Sequence, residues 1–346
     1  MRTDPGTHEA QAGRTATMRA VVQDEYGEAD VLRLEEIDRP SIGDDEVLVR
    51  VRAAGVDQGA WHLMAGLPYP IRLAGFGVRA PKRRVRGREL AGSVEAVGAG
   101  VTALRPGDDV FGIGEGTFAE YAVASPDRLV RTPAGLSSTR AAALGVSALT
   151  ALQAVRDQAQ VQAGERVLVI GASGGVGTFA VQLAKAFGAE VTGVASGSKL
   201  EVVRSIGADH VVDHRSEDVT AGGVRYDVVL DTGGNTPLRR LRRILTPNGR
   251  LVIVGAETGG RWLGGLGRQL RAMLLNPFTG QRLGSFIASE NAADLAVLAG
   301  FVAAGQVTPV VDRTFALDEV PEAMRYLRAG RATGKVVVEV DGARRP

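Results

Sequence analysis

Val167-Leu-Val-Ile-Gly-Ala-Ser-Gly-Gly-Val-Gly177 is the stretch that decides the fold of this chain. The run Arg166 to Ile170 reads as a buried strand, and it turns through glycines directly into a helix from Thr178 to Phe187. Gly174, Gly175 and Gly177 have no side chain, so the backbone there can approach a pyrophosphate lying at the positive end of the following helix. Gly177 also lets helix and strand pack closely, and Ser173 and Val176 complete the turn. The first glycine of the G-x-G-x-x-G pattern is Ala172 here, so the fingerprint is a variant. A tight strand-to-helix turn without a ligand is its alternative reading.

Downstream, Glu190 to Val194 reads as the next strand, followed by Val194-Ala-Ser-Gly-Ser-Lys199. A site for NAD places Asp or Glu at this point to accept from the ribose 2′-hydroxyl, and this segment has no acid. Ser196 and Ser198 offer hydrogen bonds and Lys199 a positive charge, a set suited to the 2′-phosphate of NADPH. The competing reading of Lys199 is a solvated lysine opening the helix through Ile206.

Strands and helices alternate from about Ala141 to Val252–Val254, which implies βαβ units on a parallel sheet. Upstream, from Met18 to about Thr139, short β-rich runs such as Val47 to Val51 and Val94 to Val97 lie between Gly, Pro and Asp turn signals, predicting a mostly β, barrel-like domain. Asp294 to Ala304 and Leu317 to Arg328 read as helices, closed near Gly305 and Gly330, and the strand Lys335 to Val340 rejoins the β-rich part. The resulting domains are 18–139 with 290–346, and 140–289, after a disordered extension over 1–17.

Bulk properties narrow the function. A net charge of +2 provides no dense cationic field for a nucleic-acid backbone, although the pI is about 9.1. No window is apolar enough to span a bilayer and no secretory apolar stretch opens the chain, so a cytoplasmic protein is expected. There is no cysteine, which excludes disulfides, thiolate nucleophiles and cysteine-ligated metals.

Several further motifs stand in order: Ala53-Ala-Gly-Val-Asp57, Gly87-Arg-Glu-Leu-Ala-Gly92, Val94-Glu-Ala-Val-Gly98, Pro106-Gly-Asp-Asp-Val-Phe-Gly112, Gly116-Thr-Phe-Ala-Glu-Tyr121, Leu149-Thr-Ala151 and Gly334-Lys-Val-Val337. With the glycine turn, they make the chain resemble the zinc-free, quinone oxidoreductase-like branch of the medium-chain dehydrogenase/reductases from about Met18 to Val340. The resemblance implies an α/β architecture in which a GroES-like, mostly-β catalytic domain is joined to a Rossmann domain, a doubly wound parallel sheet, with NADPH in the cleft between them. It also implies a homodimer. Zinc-dependent relatives place a Cys and a His where this chain has Val56 or Asp57 and Arg88. A guanidinium is a permanent cation and cannot replace a neutral imidazole as a ligand, so no metal is expected. Without a Lewis acid to polarise an alcohol oxygen, reduction of an electron-poor alkene or quinone is favoured. The competing functions are a zinc-independent carbonyl or alcohol oxidoreductase and a non-catalytic NADPH-binding redox sensor.

By the same resemblance, Thr150, Val254, Gly255, Phe286 and Ile287 flank the nicotinamide end of the cofactor, Thr232 and Gly233 lie near the adenine ribose, and Lys335 faces the cofactor. His214 stands where many NADPH-binding relatives have Tyr. Asp57 replaces the family's Asn; it serves either in proton delivery or as an Asx-type turn.

Trp61, His62, Leu63 and Tyr69 belong to an apolar, aromatic run where the substrate pocket begins, suited to a hydrophobic small molecule. Some of them alternatively complete the barrel core. His62 is the polar group of that run able to relay protons near neutral pH. The segment from Gly260 to Gly284, with Trp262 and leucines at helical spacing, reads as a substrate lid or dimer contact, with a membrane-surface helix as a third reading.

Overall fold

The computed structural model describes residues 16–233, 236–255, 262, 266–276 and 279–340. Fifteen strands fall among them: β1 (Thr17–Val22), β2 (Arg33–Asp38), β3 (Val47–Val56), β4 (Glu89–Val97), β5 (Asp109–Ile113), β6 (Tyr121–Ala124), β7 (Leu129–Arg131), β8 (Arg166–Ile170), β9 (Glu190–Ala195), β10 (His210–Asp213), β11 (Tyr226–Asp231), β12 (Leu245–Ile253), β13 (Arg282–Ser285), β14 (Val311–Ala316) and β15 (Lys335–Glu339). The helices are α1 (Gln58–Ala65), α2 (Ser138–Ala142), α3 (Val146–Gln153), α4 (Gly175–Ala186), α5 (Leu200–Ser205), α6 (Leu238–Ile244), α7 (Leu266–Leu275), α8 (Ala292–Ala303) and α9 (Val320–Arg328).

The nucleotide domain is a six-stranded sheet in the order β10-β9-β8-β11-β12-β13, with every pairing parallel. This is the doubly wound order, and its switch point lies between β8 and β11, where ligands of such sheets bind. β8 sits in the middle under helices on both faces, which is why Val167, Leu168 and Val169 are all buried rather than alternating. α4 covers it with Phe179, Ala180, Val181, Leu183 and Ala184.

The catalytic domain is built on a mostly antiparallel sheet, β14-β15-β3-β4-β5-β7, with β6 paired to β3 and β14 parallel to β15. In β3, Val47, Val49 and Val51 point inward with period two; from Ala53 to Val56 every residue is buried because the strand runs beneath α2. Residues 1–15 of the expected extension lie outside the described residues, whereas Ala16 already accepts a backbone bond from Arg39 and Thr17 pairs with Asp38. α8, capped by the Asn291 side chain on the Asp294 amide, sends Leu295 and Leu298 into the core shared with α3 and α4. Only from β14 onward does the chain rejoin the catalytic sheet.

Candidate functional site

The carboxyl ends of β8, β9, β11 and β12 open onto a cavity of about 1080 Å³, closed on its other side by the start of α1, α3 and the start of β15. The glycine turn forms its centre. Gly171 adopts φ +82°, and its carbonyl accepts from the Gly174 amide at 3.0 Å. A Cβ on Gly177 would stand 2.0 Å from that same carbonyl oxygen, so Gly177 lets α4 pack against the turn rather than lining the cavity. Gly174 and Gly175 do face the cavity, with Ser173 and Val176 beside them. A Cβ on Gly175 would meet Ser147 Oγ at 3.2 Å and Lys335 Cδ at 3.3 Å, so this bare stretch is a backbone cradle with an ammonium group's stem against it. The Gly334 amide donates to the Ser173 carbonyl at 2.8 Å, which ties the catalytic domain's last strand to the turn.

At one end of the cavity, beyond β9, lie Ser196, Lys199 and His214. Ser198 is exposed and outside the lining. Lys199 donates to the carbonyls of Gly330 and Ala332, and burial lowers its pKa from the ordinary lysine value. Arg215 and Arg240 line the same end and were missed in the sequence because nothing in their local pattern marks them. Arg240 pairs with Asp218 at 3.1 Å. A carboxylate does approach β9: a Cβ on Gly197 would lie 2.5 Å from Asp213 Oδ2, but the other oxygen of Asp213 accepts from the Arg215 amide and the residue is outside the lining.

Thr232, Gly233, Val254 and Gly255 line the middle of the cavity, with Thr232 Oγ1 bound to the Ile170 carbonyl at 2.8 Å. At the opposite end are Val56, Asp57, His62, Val146, Ser147, Thr150 and Lys335. Thr150 Oγ1 donates to the Val146 carbonyl at 2.7 Å. Asp57 proves to be the N-cap of α1, its Oδ1 accepting from the Ala60 amide at 2.7 Å. The Asx-type contact is thus present, and Asp57 lines the cavity as well.

His62 Nδ1 lies 2.8 Å from the Leu67 carbonyl. A carbonyl can only accept, so Nδ1 carries hydrogen and Nε2 is the nitrogen left to titrate. Burial, chiefly, and the Arg328 charge hold its pKa below the ordinary histidine value.

Lys335 and Glu89 form an ion pair at the cavity floor. Lys335 Nζ donates to Glu89 Oε2 at 2.5 Å and to Ser147 Oγ at 3.2 Å, with both charged side chains at most 1% exposed. Burial pushes Glu89 up to about 7, with Lys335 opposing the rise and Asp57 adding to it. The preceding residue, Arg88, points to Glu290 instead, which Arg128 also approaches.

Besides Gly177 and Ser198, six further residues expected at the site are placed elsewhere. Trp61 is buried in the catalytic core under the Arg328 guanidinium, 3.7 Å from its ring, because α1 turns that face inward. Leu63 is half-buried and outside the lining. Tyr69 and Trp262 meet edge to face at 5.2 Å, away from the cavity lining, and Trp262 is 72% exposed. Phe286 packs on the core, and Ile287, next along an extended segment, is turned outward and 97% exposed.

Comparison with known proteins agrees with this geometry. A family model described as "Alcohol dehydrogenase GroES-like domain" matches residues 43–134, and one described as "Zinc-binding dehydrogenase" matches residues 206–338. The NAD(P)H oxidoreductase RTN4IP1, mitochondrial, of Bos taurus is 32% identical over 94% of this chain and 90% of its own length. The 2-methylene-furan-3-one reductase of Solanum lycopersicum is also 32% identical, over 95% of this chain and 83% of its own length. Among solved structures, the quinone oxidoreductase from Coxiella burnetii superposes with a TM-score of 0.83 at 27% identity, covering 94% of this chain and all of that one.

Proposed function

The chain belongs to the medium-chain dehydrogenase/reductase family, among its quinone oxidoreductase-like members, and from that premise we propose that it is an NADPH-dependent, zinc-independent reductase of quinones or α,β-unsaturated carbonyls. At the coarser level it is an oxidoreductase of a small molecule with a nicotinamide cofactor. The observation that carries the finer reading is the polarity of this cavity: Lys199, Arg215 and Arg240 at one end, the bare Gly174-Gly175 backbone in the middle, and Val56, Val146, Thr150 and the half-buried His62 at the other.

The bound cofactor would supply a hydride from C4 of its nicotinamide. The chain's own contribution is positional. Gly174 and Gly175 admit the pyrophosphate to the amino end of α4, and the cations beyond β9 favour a 2′-phosphate over a bare hydroxyl. Thr150 and Val146 bound the opposite end, and His62 passes a proton through Nε2 to the reduced product. The positions at which zinc-dependent relatives hold their metal carry Val56 or Asp57, the latter a helix cap, and Arg88, which is held by Glu290. The same reading makes the protein a cytoplasmic homodimer; among the described residues no helix is long and apolar enough to cross a membrane.

The test is a paired titration of NADPH and NADH into chelator-treated protein, followed by cofactor oxidation after adding a quinone, a 2-enone or a simple ketone. Preferential NADPH oxidation by quinone or enone supports the proposal. Turnover with simple ketones alone identifies a carbonyl oxidoreductase, metal dependence overturns zinc independence, and tight binding without turnover identifies a sensor.

A further inference from the structure

We propose that Glu89 is a positioning residue that holds the Lys335 ammonium beneath the dinucleotide turn, releases it to the pyrophosphate when NADPH binds, and takes up one proton from solvent in exchange. This rests on the cofactor reading given above.

The geometry gives Lys335 two possible anions. Its Nζ lies on Glu89 Oε2, while its Cδ lies against Gly175, whose bare backbone faces the cavity. Rotation of the last bonds of the stem exchanges one for the other without moving β15, which the Gly334 amide keeps fixed to Ser173. The pocket around the carboxylate is built to its size. A Cβ on Gly55 would lie 2.1 Å from Glu89 Oε2, and one on Gly145 would lie 2.6 Å from Glu89 Cγ. The groups facing Glu89 are Lys335 from β15, the Ser147 amide from α3 and, from the end of β3, the Asp57 carboxylate.

Once the ammonium turns away, Glu89 is a wholly buried carboxylate beside the like charge of Asp57. An unpaired buried charge is strongly unfavourable, so the group neutralises instead. The sign follows. Glu89 already stands at about 7, and Lys335 is the group that holds it down, so losing Lys335 raises it further. Between the two values cofactor binding is accompanied by uptake of a proton on the Glu89 carboxylate, with no bond to the cofactor formed or broken. Affinity therefore falls as pH rises through that window.

The experiment is calorimetric titration of NADPH into the full-length protein at about pH 8 in two buffers of different ionisation enthalpy. The expected result is uptake of close to one proton per cofactor, with Kd rising about tenfold per pH unit above neutrality. In Glu89→Gln the uptake disappears. In Lys335→Met it disappears as well, because Glu89 is then protonated beforehand, which keeps the test open if Glu89→Gln fails to fold. Binding without uptake in the wild-type protein, or uptake retained in Glu89→Gln, overturns the proposal. Absence of any NADPH binding overturns the cofactor reading itself, and this proposal with it.

Discussion

Lys199 donates to the Ala332 carbonyl at 2.7 Å, so the residue that follows the nucleotide sheet's second strand is tied to the loop leading into β15 of the catalytic domain. The side chain sequence reasoning assigns to the 2′-phosphate thus also joins the two domains.

Replacing Lys199 with Ala separates these roles. A charge-assisted hydrogen bond contributes about 1.5–3 kcal/mol, so NADPH affinity is expected to fall roughly 10- to 150-fold while NADH affinity changes little. Fluorescence titration of both cofactors measures this. An equal loss for both would assign Lys199 to the interdomain tie alone.

The glycine turn predicts opposite outcomes for adjacent substitutions. In Gly177→Ala the new methyl meets the Gly171 carbonyl, which is backbone and cannot yield cheaply, so stability should drop by roughly 1–3 kcal/mol in urea unfolding. In Gly174→Ala the nearest atom is 3.4 Å away, so the fold survives and the loss appears in cofactor affinity. Equal stability of the two variants would contradict the packing role of Gly177.

Asp57 supplies a test of capping against proton delivery. Asn accepts the Ala60 amide as well as Asp does, so Asp57→Asn should keep both stability and turnover. Asp57→Ala should cost about 0.5–2 kcal/mol of stability. A collapse of kcat in the Asn variant with stability unchanged would return Asp57 to the chemistry.

These residues also mark how far the sequence reaches. The parallel sheet and the turn at Gly174 were legible because a buried parallel strand and its glycine fingerprint are local patterns. Glu89 and Ser147 were not, since they meet Lys335 from more than 180 residues away and only the folding of β4, α3 and β15 onto one another brings them together. Trp61 and Ile287 were misplaced for a related reason: a run of apolar residues does not say which of them turns toward the cavity and which into the core or solvent.

His62 gives the site a pH signature. Its pKa is held below the ordinary histidine value, so the native state binds fewer protons than the unfolded chain just below about pH 6.5. Its contribution to stability is full above that pH and shrinks as pH falls toward the folded value. If His62 passes the proton, His62→Gln should lower kcat by about 10²-fold and remove the inflection at which the rate falls as pH rises through the lowered histidine pKa. A parallel drop in rate at every pH, with the inflection intact, would mean that the variant only disturbs packing against Leu67.

The segment that carries α7 is anchored by charge. Arg268 pairs with Asp231, a carboxylate that is wholly buried at the end of β11, one residue before the cavity-lining Thr232. The exposed leucines Leu270 and Leu274 of the same helix make no comparable attachment to the sheet, while Ala272 is buried in its core. Arg268→Met therefore removes one charge-assisted bond to this buried carboxylate and is expected to cost about 1.5–3 kcal/mol. Adding Asp231→Asn to that variant removes the charge and should recover part of the loss. Urea unfolding of the two single variants and the double variant measures the coupling, and strictly additive effects would show that Arg268 holds α7 by its stem rather than by its charge.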